Sequence, residues 1–129
     1  MTTISFKREI AGTVDQAIER ITKALGAEGF GILTRIDMHS KIKEKIGKEL
    51  IPTVILGACN PTLAYEAYVA NSDVAALLPC NAVVREIAPG RISLELAKPT
   101  AMMQILGDTR LAELAREADA KIERALKNA

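Results

Sequence analysis

Tryptophan is absent from this chain, and phenylalanine and tyrosine contribute two residues each. Four aromatics, Phe6, Phe30, Tyr65 and Tyr68, are too few to build the stacking platforms that hold single-stranded nucleic acid. A basic surplus is missing as well. Seventeen Lys and Arg against sixteen Asp and Glu leave a formal charge of +1, so a phosphate backbone meets no counter-field. No apolar run approaches the roughly 20 residues needed to cross a bilayer. The opening Met1-Thr-Thr-Ile-Ser-Phe-Lys-Arg-Glu has no basic-then-apolar leader pattern. These absences set the expectation of a cytoplasmic protein with neither nucleic-acid nor membrane partners. Two cysteines, Cys59 and Cys80, are too few for a disulfide scaffold and are expected to be thiols in that compartment. A single histidine, His39, leaves one imidazole for any acid–base step at neutral pH.

What is present is an ordinary globular composition, 49% hydrophobic and 26% charged over 129 residues. A chain of that size buries roughly two-thirds of its unfolded surface. No Pro/Gly/Ser-rich linker, charge block or internal repeat divides it, so residues 1–129 are read as one domain. Thr3–Ile10 alternates, with Ile4 and Phe6 opposite Ser5 and Lys7, as a strand does. Thr13-Val-Asp-Gln16 has the form of a capping box, and apolar residues from Val14 to Leu25 follow at helical spacing. Phe30–Asp37 alternates again, with Phe30, Ile32 and Ile36 assigned to one face. Ser40–Leu50 carries one apolar residue per turn and suits a short surface helix stopping near Gly47.

Ile51–Tyr68 is the pivotal stretch. Val54, Ile55 and Leu56 in succession mark a strand covered on both sides, with Pro52 at its start. The chain then passes Gly57 and Cys59 and restarts at Asn60-Pro61, which match helix N-cap and first-turn preferences. A short helix over Ser72–Leu77 follows. Pro79–Ile87 and Arg91–Lys98 form a hairpin around the tight turn Ala88-Pro-Gly-Arg91. A helical turn over Pro99–Leu106 and a helix from about Asp108 to Lys127 complete the chain. The order β-α-β-α-β-α-β-β-α implies an α+β fold, a two-layer sandwich of a mainly antiparallel sheet with helices on it.

Chemistry concentrates at few positions. A thiol at a helix start is stabilised as thiolate by uncompensated N–H groups, which makes Cys59 the candidate nucleophile. Cys is also among the most buried and inert residue types, so a packed thiol is the bland alternative. Cys80 becomes a redox partner for Cys59 only if the strands bearing them are antiparallel neighbours. Asp37 and His39, flanking Met38, could join the cysteines around a metal, but their spacing matches no zinc pattern. No metal or cofactor is expected. Gly57-Ala-Cys-Asn-Pro lacks the lysine ending and the three-glycine spacing of phosphate loops. Met102 and Met103 could line an apolar cavity, a subunit contact or plain core.

Ile36-Asp37, Leu50-Ile51-Pro52-Thr53, Leu56-Gly57-Ala58-Cys59-Asn60-Pro61 and Leu78-Pro79-Cys80-Asn81 together resemble the DUF302 family, small domains of unknown function, over essentially the whole chain. The resemblance implies a TATA-box-binding-protein-like architecture: a curved antiparallel sheet with helices on one side, assembled as a homodimer. It carries no activity. It also implies that Gly57, Asn60 and Pro61 belong to a shared frame and Cys59 does not. The expectation is therefore a small, soluble, dimeric module of unknown function, ligand-binding or structural. Its apolar pocket would lie near Gly57–Pro61, with Asp37, Gly57, Cys59, Asn60, Met102 and Met103 as candidate small-molecule contacts. The alternative is a thiol-dependent enzyme or redox protein using Cys59, with Cys80 and His39 as candidate catalytic partners.

Overall fold

The first alternating stretch becomes strand β1, Ser5–Ala11, and its register shows why an arginine belongs in it. In the computed structural model, which describes residues 3–129, Phe6, Arg8 and Ile10 share the face that meets the helices. Met1 and Thr2, where the leader reading begins, lie outside the described residues. Arg8 is not stranded on that face. Its Nη1 donates to the Leu126, Lys127 and Ala129 backbone oxygens at 2.8, 2.8 and 3.0 Å, capping the last helix where its carbonyls lack partners. Ile4, expected beside Phe6, lies before the strand and is 62% exposed.

Helix α1, Val14–Ala27, starts at the expected capping box: the Gln16 amide donates to Thr13 Oγ1 at 3.1 Å, and the Thr13 amide donates to Gln16 Oε1 at 3.0 Å. Strand β2, Gly31–Asp37, leads directly into α2, Met38–Ile46, which ends at Gly47 in the left-handed conformation, φ +67°. The helix thus begins two residues earlier than the lysine-rich pattern suggests. Strand β3 is Thr53–Cys59, helix α3 is Pro61–Ala70, and a 3-10 turn covers Ser72–Leu77. Strands β4, Cys80–Ala88, and β5, Arg91–Ala97, form the hairpin, with Gly90 at φ +77° in its turn. Helix α4, Pro99–Met103, two further 3-10 turns and helix α5, Ala112–Asn128, end the chain.

The five strands form one sheet in the order β1-β5-β4-β3-β2, every neighbouring pair antiparallel, with helices packed on one face. This is the two-layer α+β arrangement expected from the element order. Ile92, Leu94 and Leu96 of β5, Ala82 and Val84 of β4, and Val54, Leu56 and Ala58 of β3 point inward against α1 and α5. Each Leu or Ile so buried stabilises the fold by about 1.5–3 kcal/mol. The opposite face carries a polar lattice centred on Glu95, which accepts from the Ser5 hydroxyl at 2.6 Å and from Arg85 at 2.6 Å, with Lys7 at 3.7 Å.

Two expectations about faces change. A bulge between Ile32 and Thr34 places one extra residue, Leu33, in β2. Because side chains alternate with period two, everything after it swaps sides. Ile36 therefore pairs with Ile55 on the face away from α1 and α5, while Arg35 and Asp37 pair with Leu56 and Val54. Nor does a second helical layer cover β3. Gly57 is buried because the Pro79 ring and the Thr34 hydroxyl close over it, so that a β-carbon there would collide with both.

Candidate functional site

The junction at residues 59–61 is built by Asn60. Its extended backbone, φ −98°, ends β3, and its Oδ1 accepts the Leu63 amide at 3.2 Å, with Pro61 in the first helical position. Its Nδ2 reaches back to the Glu28 carbonyl oxygen at 3.4 Å, tying the start of α3 to the end of α1. Glu28 is itself held by Arg124 at 2.9 Å. This arrangement uses up the helix start as an anion site. Pro61 has no N–H, Leu63 bonds to the Asn60 side chain, and Ala64 bonds to the Asn60 carbonyl oxygen. Few donors remain to hold a thiolate.

Cys59 and Cys80 nevertheless come together. Strands β3 and β4 are antiparallel neighbours, and Ala58 pairs with Cys80, so the end of one strand and the start of the other share an edge. Both cysteines are free thiols. Burial pushes the Cys80 thiol up to about 11, with smaller contributions from Cys59 and then Asp119. At neutral pH Cys80 is therefore a protonated thiol and not a first nucleophile.

Both cysteines line an apolar cavity of about 50 Å³ between the sheet edge and helices α3, α4 and α5. Phe30, Ala58 and Asn60 form one wall, and Leu63, Ala67, Val74, Met103 and Leu111 form the others. Of the candidate pocket residues, Cys59, Asn60 and Met103 reach the cavity. Gly57 lies one strand position from its wall, under Pro79, and Met102 is half-buried outside its lining. Met103 and Ala115 also separate the cavity from an open groove of about 340 Å³ lined by Thr100, Asp108 and Arg116.

Asp37 and His39 are elsewhere. His39 Nδ1 sits 3.0 Å from the Thr53 amide nitrogen and 3.1 Å from the Thr53 carbonyl oxygen, so in either tautomer the ring pins α2 to the first residue of β3. Thr53 and Cys59 are opposite ends of one strand, about 20 Å apart at the usual rise. That distance removes His39 as a base for the thiol and breaks up the group of Asp37, His39 and two cysteines. Asp37 occupies the N-cap position of α2 without a capping bond and instead accepts from Arg35 at 2.9 Å. Among the described residues, no group of three or more His, Cys, Asp and Glu side chains is placed to hold a metal.

One polar residue near the cavity escaped the sequence reading. Asp119 accepts from the Thr100 amide at 3.0 Å and the Thr100 hydroxyl at 2.7 Å, anchoring α4 on α5. Its signal was available: Asp119 lies four residues after buried Ala115, at the margin of an apolar stripe, where a carboxylate needs a partner.

The comparisons with known proteins agree with the fold. A family model described as "Domain of unknown function DUF302" matches residues 6–129. The chain is similar to the crystal structure of an uncharacterized conserved DUF302 protein from Bacillus stearothermophilus, with 28% identity, 98% of each chain covered and a TM-score of 0.91. No curated protein matches it.

Proposed function

The chain belongs to the DUF302 family, whose description assigns no activity, and from that premise we propose that it is a small cytoplasmic ligand-binding module acting as a homodimer. The observation that carries the reading is the apolar cavity where β3 passes into α3. At about 50 Å³ it is far below the roughly 300–1,000 Å³ typical of organic-ligand sites. A molecule of several heavy atoms enters only if the wall moves. Met103 is the wall most suited to moving, because its unbranched thioether repacks readily and because the groove of about 340 Å³ lies on its other side. Ile36, Ile55 and Val83, apolar and incompletely buried on the sheet face that carries Glu95, support a subunit contact there.

Xenon is the probe that suits a cavity of this size. Methyl NMR under xenon pressure should show saturable shifts at Met103, Leu63 and Ala67, and their absence sinks the pocket. Sedimentation at micromolar concentration should give twice the chain mass, and a monomer ends the dimer reading. The second reading, thiol chemistry at Cys59, is favoured only by the proximity of Cys80. An alkylation rate at pH 6 no different from that of a free model thiol removes it.

A further inference from the structure

Three sulfur-bearing residues, from three different elements, line the same cavity. Cys59 ends β3, Cys80 begins β4, and Met103 ends α4. The register Ala58 with Cys80 sets the two cysteines one strand apart and one residue out of step. With strands about 4.8 Å apart and a rise of about 3.3 Å per residue, their α-carbons are about 6 Å from each other. Cys59 is the last residue of its strand, where the chain swings into α3. It lines the same cavity as Cys80.

We propose that Cys59, Cys80 and Met103 form a binding site for a soft monovalent cation, copper(I) being the metal their chemistry selects. The proposal rests on the cavity of the preceding reading and names a different occupant for it. The volume, about 50 Å³, is small for an organic ligand and ample for one ion. Thiolate and thioether sulfur favour copper(I) over hard cations, which want oxygen. The lining holds no carboxylate or imidazole to complete the four-coordinate set a structural zinc requires. Asn60, the polar residue in the lining, has its amide committed to Leu63 and Glu28. Asp119, close by, is committed to Thr100. Metal entry exchanges thiol protons for the cation, the protons leaving to solvent, with no change in oxidation state. Sequence spacing hides the site, because 59 and 80 become neighbours only through strand pairing and Met103 only through the seating of α4 on α5.

The test titrates the reduced, full-length protein, without oxygen, against copper(I) held by a chromophoric chelator. The expected result is withdrawal of one equivalent, with a new ultraviolet sulfur-to-copper absorption. Cys59→Ser and Cys80→Ser should each weaken binding by at least about 100-fold, the upper end of the cost of losing a mere outer partner of a metal site. Met103→Leu, which conserves volume, should weaken it by about 10-fold while leaving the thermal midpoint almost unchanged. Failure to withdraw copper, or retention of full affinity by either serine variant, overturns the proposal. Xenon shifts at Met103 without copper uptake sink the metal site and leave the pocket standing. Copper uptake without xenon shifts does the reverse.

Discussion

Beneath the middle of the sheet, Leu25, Val84 and Ile92 are wholly sealed from solvent, and the side chains around them form one continuous packed cluster between β-strands and α1 and α5. Around α3 the situation differs: Ala67, Val74 and Leu111 form a separate small cluster, completed by half-buried Leu78, Met103, Leu106 and Leu114. The cavity lies on the seam, with Phe30 and Ala58 from the large cluster on one side and the small cluster on the other. Long amphipathic helices interdigitate with the sheet over many turns, whereas short turns such as Ser72–Leu77 and Thr109–Leu111 offer too few side chains to fill the gap. The difference teaches where adaptability resides. Regions with sparse buried contacts open at low free-energy cost, and binding sites are drawn from them.

Leu94 and Leu111 make the sharpest test of that contrast, since both are 1% exposed and they belong to different clusters. Leu94→Ala should cost about 4 kcal/mol and Leu111→Ala about 2.5 kcal/mol, because the cost grows with the cavity that cannot collapse, and the seam has room to relax. Equal losses in denaturant titration would erase the distinction between the clusters. Gly57→Ala probes the border from the other side of the sheet. Its β-carbon would lie 2.7 Å from Pro79 Cγ and closer still to the Thr34 hydroxyl, an overpacking of about 2 kcal/mol. A stabilised Gly57→Ala would show that Pro79 covers the strand loosely and that glycine is there for another reason.

How much of this could be seen in the residues depends on whether the cause was local. The capping box at Thr13–Gln16, the Asn60-Pro61 helix start, the Gly47 stop and the Ala88–Arg91 turn all act within a few residues, and each sits where the pattern puts it. The bulge at Leu33 is not legible, because alternation on either side of an extra residue looks intact until a partner strand defines the register. Gly57 could be singled out, but its reason required Pro79 to arrive from 22 positions away. The cavity was anticipated near Cys59, Asn60 and Met103, whereas Asp37 and His39 fell at the other end of β3. Proximity in sequence to a strand end does not say which end of the sheet that is.

Asn60 links the two clusters, since it caps α3 and reaches Glu28 at the end of α1. Asn60→Ala should lower stability by about 1 kcal/mol. Hydrogen exchange should place the loss in α3 and leave α1 amides near Ile21 as protected as before. Uniform loss of protection would mean that the clusters open as one unit and that the seam has no independent mobility.

The smallest effect separates the clusters by pH. Burial raises the Glu95 carboxyl, but the Ser5 and Arg85 hydrogen bonds, with Lys7 and Arg85 charges, outweigh it and hold the group below its usual 4.5. An unfolded chain then binds the proton more readily than the folded one as pH falls, so the lattice stabilises the fold above about pH 4.5 and that contribution disappears below it. Solvent screening keeps the gain under about 1 kcal/mol. Glu95 lies on β5 directly behind Leu94 and Leu96, so acid should speed exchange in β1 and β5 before it touches α3. Glu95→Gln should flatten that acid response and leave α3 unchanged. If acid loosens α3 first, the small cluster depends on a titrating group other than this lattice, and the large cluster is not the part of the molecule that the outer face protects.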